Sequence, residues 1–250
     1  MTLTLSSKAP LKPTPKRRSP VKPKPTRSGP LTVYIHYLLD RTGSMLRIKD
    51  ATIEAFNGFL DSQKSSGDET TMTLTLFDSQ SIDTLYSATP VSAIPPLTSA
   101  TYIPRSSTPL LDAVGRASAA ALAHAASYSY DRRIFVIQTD GEENSSIEYT
   151  LVQVRDLIAR MEADDWQIIF LGAGIDAFAN ARNMNINTGY TVTYSPTAGS
   201  AYAAGQVLTS TVRNYTTSGV TATANLVISP EGKVDDGKGK PPKGKPSKNP

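Results

Sequence analysis

Three short stretches of this 250-residue chain gather small oxygen-bearing side chains next to a carboxylate or a turn residue. Asp40-Arg41-Thr42-Gly43-Ser44 puts a carboxylate and two hydroxyls on alternate positions. Gly43 lets the backbone fold tightly enough for those alternate side chains to converge. The second stretch is Arg105-Ser106-Ser107-Thr108-Pro109 and the third is Thr139-Asp140-Gly141. Oxygen-only donors with few charges and room for water are what a hard cation such as Mg²⁺ prefers. Two carboxylates leave a dication incompletely neutralised, so it keeps Lewis acidity for an incoming anion. The chain has no cysteine, which excludes thiolate metal sites, disulfides and cysteine nucleophiles.

The elements that would position these loops alternate along the chain. Thr32 to Leu39 is β-branched and apolar and ends at Asp40. From Met45 an amphipathic helix is expected, with Met45, Ile48, Phe56 and Phe59 on one face and Leu60 beside it. Thr71 to Phe77 and Ser81 to Tyr86 read as neighbouring strands joined by a hairpin at Phe77-Asp78-Ser79-Gln80, without a strong turn dipeptide. A long loop over Pro90 to Pro104 follows. Then comes a helix with Pro109 in its first turn and Leu110, Leu111, Val114, Ala121 and Leu122 on its apolar face. Ile134 to Gln138 is a buried-type strand, and Leu151, Val154, Leu157, Ile158 and Met161 mark the next helix. Gln167 to Leu171 is a further strand, and a short helix covers roughly 176–183. Thr191 to Tyr194 and Ala201 to Tyr215 are the last expected strand and helix. This alternation predicts a doubly wound α/β fold: a mostly parallel six-stranded sheet with one antiparallel edge strand and helices on both faces. Ligands of such sheets bind beyond the carboxyl ends of the strands, near a topological switch, and all three oxygen-rich stretches fall where that rule looks.

Charge divides the chain into three. Residues 1–30 carry eight Lys or Arg and no acid, and residues 231–250 sum to +3. Against a total of +4, residues 31–230 are left at −7, an acidic body that suits a cation better than a nucleic-acid groove. The ends are rich in Pro, Lys and Gly and cannot bury enough apolar area to offset ordering entropy. The expected organisation is a disordered basic arm over 1–30, a folded domain over 31–217, and an extension over 218–250 that is disordered from about 231. The arms are solubilising tails or contacts to nucleic acid or an anionic surface; no aromatic residue interleaves their charges, which argues against base stacking. No segment approaches the roughly 20 apolar residues of a membrane span, and the N-terminus lacks the apolar stretch of a secretory signal. A cytoplasmic location is the default expectation, with a virion-associated one as the alternative.

Val33 to Ser44 (VYIHYLLDRTGS) resembles the first strand and metal loop of von Willebrand factor type A domains. Their metal-ion-dependent adhesion site has Asp-x-Ser-x-Ser in one loop, a Thr in a second and an Asp in a third. The resemblance covers about residues 31–217 and is closest to small bacterial and phage-type members, which share the phrases Ser107 to Ala113, Thr139 to Asn144 and Phe170 to Ala177. It implies Asp40, Thr42, Ser44, Thr108 and Asp140 as the metal site for Mg²⁺ (or Mn²⁺ or Ca²⁺). Thr42, Ser44 and Thr108 would contact the ion directly, and the aspartates directly or through water. Thr42 departs from the family's serine; it keeps the hydroxyl and adds a methyl. Helix capping ahead of Pro109 is the competing role for Thr108. Asp112, one helical turn past Thr108, either stands behind the metal ligands or has a solvated or capping role; Glu142, Glu143 and Asn144 either rim the site or form an exposed acidic turn; Arg105 either greets an anionic ligand beside the metal or is an ordinary surface residue. His36 and His124 lie in different elements and read as packed or exposed rather than catalytic.

The function implied is a non-enzymatic binding module whose metal bridges to an acidic group on a partner protein. A basic-armed structural or virion-associated protein is the alternative. A metal-dependent phosphatase of the Asp-x-Asp-x-Thr type is disfavoured, because Thr42 occupies the position of its acid/base carboxylate. No phosphate-binding Gly-x-x-x-x-Gly-Lys-Ser run is present.

Overall fold

A computed structural model of the chain describes residues 29–174, 177–186, 190–222 and 224–236. Nearly all of the basic arm over 1–30, and the Lys-rich end beyond residue 236, lie outside the described residues. Strands β1 (Thr32–Asp40), β4 (Arg132–Thr139) and β5 (Gln167–Ala173) are buried along almost their whole length, which explains their near-continuous apolar runs. Strands β2 (Glu69–Phe77), β3 (Ile82–Pro90), β6 (Tyr190–Tyr194), β7 (Ala224–Ile228) and β8 (Val234–Asp235) complete one sheet in the order β3-β2-β1-β4-β5-β6-β7-β8. The six inner strands are parallel, and β3 and β8 run antiparallel at the two edges. The α/β architecture read from the sequence is therefore present. The sheet continues two strands past the last expected one, β7 burying Leu226 and Ile228 and exposing Val227 between them.

Helices cover both faces. On one, α1 (Lys49–Lys64) and α5 (Ala198–Ser218) pack Phe56, Phe59, Leu208 and Val212 against Tyr37, Leu74 and Val136. On the other, α2 (Leu110–Ser127), α3 (Leu151–Ala163) and α4 (Ala177–Asn183) pack Val114, Ile158 and Ala181 against Tyr34, Phe135 and Trp166. The stretch expected to open α1 is instead a 3-10 turn, Gly43–Ile48, which brings Met45 and Ile48 into the core before the regular helix begins. Among the described residues no helix is long and apolar enough to cross a membrane.

The strand order reverses between β1 and β4, so the loops leaving their carboxyl ends diverge to opposite faces of the sheet and leave a crevice between them. The hairpin between β2 and β3 braces that crevice through one residue. Asp78 is fully buried as a side chain, and its Oδ1 accepts the Gln80 and Ser81 amides at 2.7 and 3.1 Å, closing the turn. Its Oδ2 accepts Arg41 Nε at 2.6 Å and Arg105 Nε at 3.0 Å. Arg41 belongs to the loop after β1 and Arg105 to the loop before α2. Arg41 also donates to Asp83 and both arginines donate to Ser81 Oγ, while the Arg105 amide bonds the Arg41 carbonyl at 2.8 Å. The guanidinium of Arg105, open to either an anion-greeting or an ordinary surface role in the sequence, is thus engaged by Asp78.

Burial pushes the Asp78 carboxyl up, but the hydrogen bonds from Arg105 and Arg41 outweigh it and hold the group below its ordinary value of 3.8. Removing one partner of a buried pair leaves the other charge uncompensated, at a cost of about 3–5 kcal/mol. Arg41 is itself buried. Asp78→Ala is therefore expected to lower the melting temperature by roughly 10 °C, and Arg105→Ala, which removes a half-exposed partner, by less. Because the folded-state pKa is depressed, the contribution of Asp78 is complete above pH 3.8 and is lost as pH falls through the still lower folded value. Urea denaturation of wild type and variant should show a constant stability gap near neutral pH that narrows only below pH 3.8.

Candidate metal centre

The crevice is assembled from the end of β1 outward. Asp40 is fully buried, and each of its carboxylate oxygens has a partner. Oδ1 accepts the Thr42 amide at 2.6 Å, and Oδ2 accepts the Thr139 hydroxyl at 2.5 Å. One side chain thereby turns the first loop and ties the ends of β1 and β4 together across the switch point. The Tyr102 hydroxyl donates to the Asp40 carbonyl at 2.6 Å, anchoring the long loop that precedes α2. Beyond the turn, Thr42 Oγ1 and Ser44 Oγ lie 3.2 Å apart, and the Ser44 hydroxyl donates to Asp140 Oδ1 at 2.5 Å.

The second and third loops are locked to each other and to the first. Gly43 N donates to the Ser106 carbonyl at 3.0 Å, and a Cβ on Gly43 would come within 3.3 Å of that oxygen. Ser106 itself takes the left-handed conformation, φ 62°, a local cost of about 1 kcal/mol or more that the surrounding contacts must hold in place. Thr108 is buried; its amide donates to Asn144 Oδ1 at 2.9 Å and its carbonyl accepts the Asn144 amide at 3.1 Å. Gly141 permits this approach, since a Cβ there would stand 2.7 Å from Thr108 Oγ1.

Thr108 does not cap α2. The cap position is Pro109, and the free Leu111 amide is satisfied from across the crevice by Glu143 Oε2 at 2.7 Å. Glu143 also accepts the Ser145 and Ser146 amides. Asp112, in the first turn of α2, accepts the amides of Ile147, Glu148 and Tyr149 at 2.7–2.9 Å. Glu143, Asn144 and Asp112 therefore clamp the third loop onto α2, and Glu142 is left exposed. The two histidines stand apart from this arrangement. His36 is buried in β1, bonds Thr75 Oγ1 at 3.1 Å and is pulled down to a pKa of about 3 by burial, so it is neutral. His124 bonds the Tyr130 hydroxyl.

Of the five residues proposed from sequence, Thr42, Ser44 and Asp140 form one continuous contact, Asp40 lies behind them through Thr42, and Thr108 abuts Gly141 next to Asp140. The electrostatics are unbalanced. Burial raises Asp40 from 3.8 to about 7, against hydrogen bonds from Thr139 and Thr42, and the Asp140 charge adds to the rise. Burial also raises Asp140, offset in part by the Ser44 hydroxyl and by Arg47. Asp140 Oδ2 is buried with no hydrogen-bond partner; Arg47 Nη2 stands 3.6 Å away, too far for one. Sequence reasoning missed Arg47, and named Thr139 only as part of the third stretch, without its bond to Asp40. Both flank motif residues, and only the fold places them against a carboxylate.

This donor set fits a hard cation. Neighbouring ligands of an octahedral ion with bonds of 2.0–2.1 Å lie about 3 Å apart, close to the Thr42–Ser44 separation of 3.2 Å. Among the described residues no three His, Cys, Asp or Glu side chains converge anywhere, so a site built here draws on hydroxyls as well as carboxylates.

No protein-family model and no curated protein sequence matches the chain. Solved structures do match its fold. The SpRpn10 VWA domain aligns with a TM-score of 0.50 at 15% identity, covering 69% of this chain and 92% of that domain. Proximal thread matrix protein 1 from the mussel byssus aligns at 0.47 and 11% identity over 72% of this chain, which spans only 46% of that protein. Manganese-loaded TRAP protein of Plasmodium vivax aligns at 0.44 and 16% identity, covering 62% of each chain. The chain has the fold of a von Willebrand factor type A domain.

Proposed function

We propose that the three loops hold one divalent cation, Mg²⁺ or its substitutes Mn²⁺ and Ca²⁺, and that the domain uses it to bind an acidic side chain of a partner protein. The observation that carries this reading is the buried Asp140 Oδ2, which accepts no hydrogen bond and has Arg47 at 3.6 Å as its charge partner, beside two hydroxyls spaced like adjacent ligands. Asp140, Thr42, Ser44 and Thr108 would hold the ion as a metal-ion-dependent adhesion site. Asp40, already accepting two hydrogen bonds, would orient the first loop and act on the ion through Thr42 or water. The ion would supply the positive charge that two buried carboxylates and one half-distant arginine do not balance. With Arg47 beside Asp140, a dication held against two carboxylates would leave one net positive charge, an attraction for one more carboxylate, and a charge-assisted contact in a partly dry interface gives a strict metal dependence. The domain acts as a binding module rather than an enzyme. A phosphatase of the Asp-x-Asp-x-Thr type would require a second carboxylate at position 42, where this chain has Thr.

Thermal melts with added MgCl₂ or MnCl₂ test the metal. A ligand at a hundred times its dissociation constant stabilises by about 2.7 kcal/mol, so the wild-type melting temperature should rise with metal concentration and return on chelation. Asp140→Asn removes a buried charge that has no hydrogen bond on one oxygen. It should leave the metal-free melting temperature equal or higher and abolish the metal-induced rise. Thr108→Val should weaken metal binding at least tenfold. A wild type that shows no shift at millimolar metal overturns the reading.

The pH dependence has a definite sign. A carboxyl raised in the folded state destabilises the metal-free protein increasingly as pH rises from 3.8 to about 7, because only the unfolded chain ionises freely there. Metal binding needs the ionised form, so apparent affinity should climb about tenfold per pH unit for each proton displaced and level off above the folded pKa, near 7 for Asp40. Titration calorimetry with MnCl₂ between pH 5.5 and 8 measures this; an affinity independent of pH would contradict it.

A further inference from the structure

The opposite end of the sheet, where β1 and β2 begin, carries a separate concavity. A cavity of about 490 Å³ is lined there by Glu69 and Thr71 of β2, by Tyr128 and Tyr130 between α2 and β4, and by Pro90 at the end of β3. Its aromatic side is rigid. Tyr128 is 61% exposed and stacks on His124 at 4.6 Å, and His124 lies 4.6 Å from the buried ring of Tyr34. The Tyr130 hydroxyl bonds His124 Nε2 at 2.8 Å. Two polar groups of the lining are left over. Gln63 is 5% exposed, and its side-chain amide has no hydrogen-bond partner among the described residues. Glu69 is exposed and takes part in no ion pair among the described residues. Asp68, also in the lining, spends Oδ1 on the Leu31 amide at 3.2 Å. The one cation of the lining, Lys64, donates to the Ile94 carbonyl at 2.8 Å. Tyrosine faces, a buried amide short of partners and uncompensated carboxylates together suit a basic, proline-rich segment. Such a segment makes no internal hydrogen bonds, so its carbonyls are open to a donor, while its prolines pack on aromatic rings.

The chain carries such a segment immediately before the fold: Pro20-Val21-Lys22-Pro23-Lys24-Pro25-Thr26-Arg27, which lies outside the described residues. The chain also enters the domain at this cavity. Thr32 belongs to the lining, and the Leu31 carbonyl accepts the Glu69 amide at 2.8 Å. Eight residues in polyproline geometry extend about 25 Å, and the tether from Arg27 to Thr32 is short. The neighbouring cavity, beyond Gln63 and Asp68, has Arg132 and Arg213 in its lining and no aromatic residue, so it repels the same segment. The other basic end of the chain departs from β8, six strands from β2 and therefore about 30 Å away. We infer that Pro20 to Arg27 docks in the cavity of its own chain, with prolines on Tyr128 and Tyr130, a backbone carbonyl on the Gln63 amide and cations against Glu69 and Asp68. The net charges, +8 over residues 1–30 and −7 over 31–230, favour this approach at longer range. The short tether makes the contact intramolecular, so modest affinity suffices to fill the cavity. The contact involves no metal and is independent of the candidate metal centre. It makes the start of the basic arm a bound element of the domain, for which a polyanion would have to compete.

The test is photo-crosslinking in the full chain with Val21→p-benzoylphenylalanine, irradiated at low concentration and mapped by mass spectrometry. The result expected is crosslinks within one chain, concentrated on Tyr128 to Tyr130 and Pro90 to Ser92. Their yield should fall by about tenfold in the double variant Tyr128→Ala, Glu69→Lys, which removes the aromatic platform and reverses the charge facing the arm. Both substituted side chains are exposed, and an unchanged melting curve checks that the variant folds. Lys22→Glu with Lys24→Glu should lower the yield to a similar extent while leaving the cavity intact, and it decides the matter if the first variant does not fold. Crosslinks scattered over the surface, or a pattern that the arm variant leaves unchanged, would overturn the inference. Crosslinks that join two chains at these residues would overturn it too, in favour of exchange of the arm between copies.

Discussion

Two carboxylates sit side by side in a nearly dry crevice with too little positive charge to satisfy them. Asp40 is held there by the Thr42 amide and the Thr139 hydroxyl, and Asp140 by the Ser44 hydroxyl. Burial raises both pKa values, and the Asp140 charge adds to the rise of Asp40, which means that folding places there groups that resist ionisation. The rest of the loop architecture can be understood as what holds this arrangement against its own repulsion. The strand order supplies the place: the loops after the neighbouring strands β1 and β4 lead to helices on opposite faces and leave a gap beyond the sheet.

Three buried or part-buried acids maintain the gap, and none of them carries an implied ligand. Asp78 pulls the first and second loops together through Arg41 and Arg105. Glu143 satisfies the amino end of α2 in place of a local cap, and Asp112 returns the connection by taking three amides of the third loop. Each pairs a carboxylate with cations or backbone N–H groups and is therefore fully used. The contrast is with Asp140, which retains a buried oxygen without a hydrogen bond. A functional group left short of partners inside a scaffold whose other acids are all satisfied is where chemistry or binding is to be sought.

Much of this was legible in the sequence because the signals were local. The strands β1, β4 and β5 are buried on both sides, so their apolar runs stand out, and the residues that end them are the loop residues that matter. Gly43 and Gly141 mark close approaches of backbone to Ser106 and Thr108, which only a glycine allows without a shift. What was not legible depends on long-range pairing. Asp78 sits at a hairpin corner of ordinary composition, and its role exists only because arginines 37 and 27 residues away converge on it. Glu143 was open between a rim residue and an exposed acidic turn, because nothing in its neighbours shows that α2 lacks a cap. Strand β7 alternates in burial, but its exposed residue Val227 is apolar and hides that pattern in the sequence, and β8 has two residues; β7 is held by pairing with β6 and β8 by pairing with β7, partners that the segment's own sequence does not reveal.

The account stands on one ion shared by oxygens from three loops. An anomalous difference map from crystals grown with MnCl₂ tests it directly. It should show a single strong peak bonded to the Ser44 and Thr42 hydroxyls, Thr108 and Asp140, with the Ser44 hydroxyl no longer donating its proton to Asp140. A map without a peak in the crevice, with Ser44 still bonded to Asp140, would contradict it.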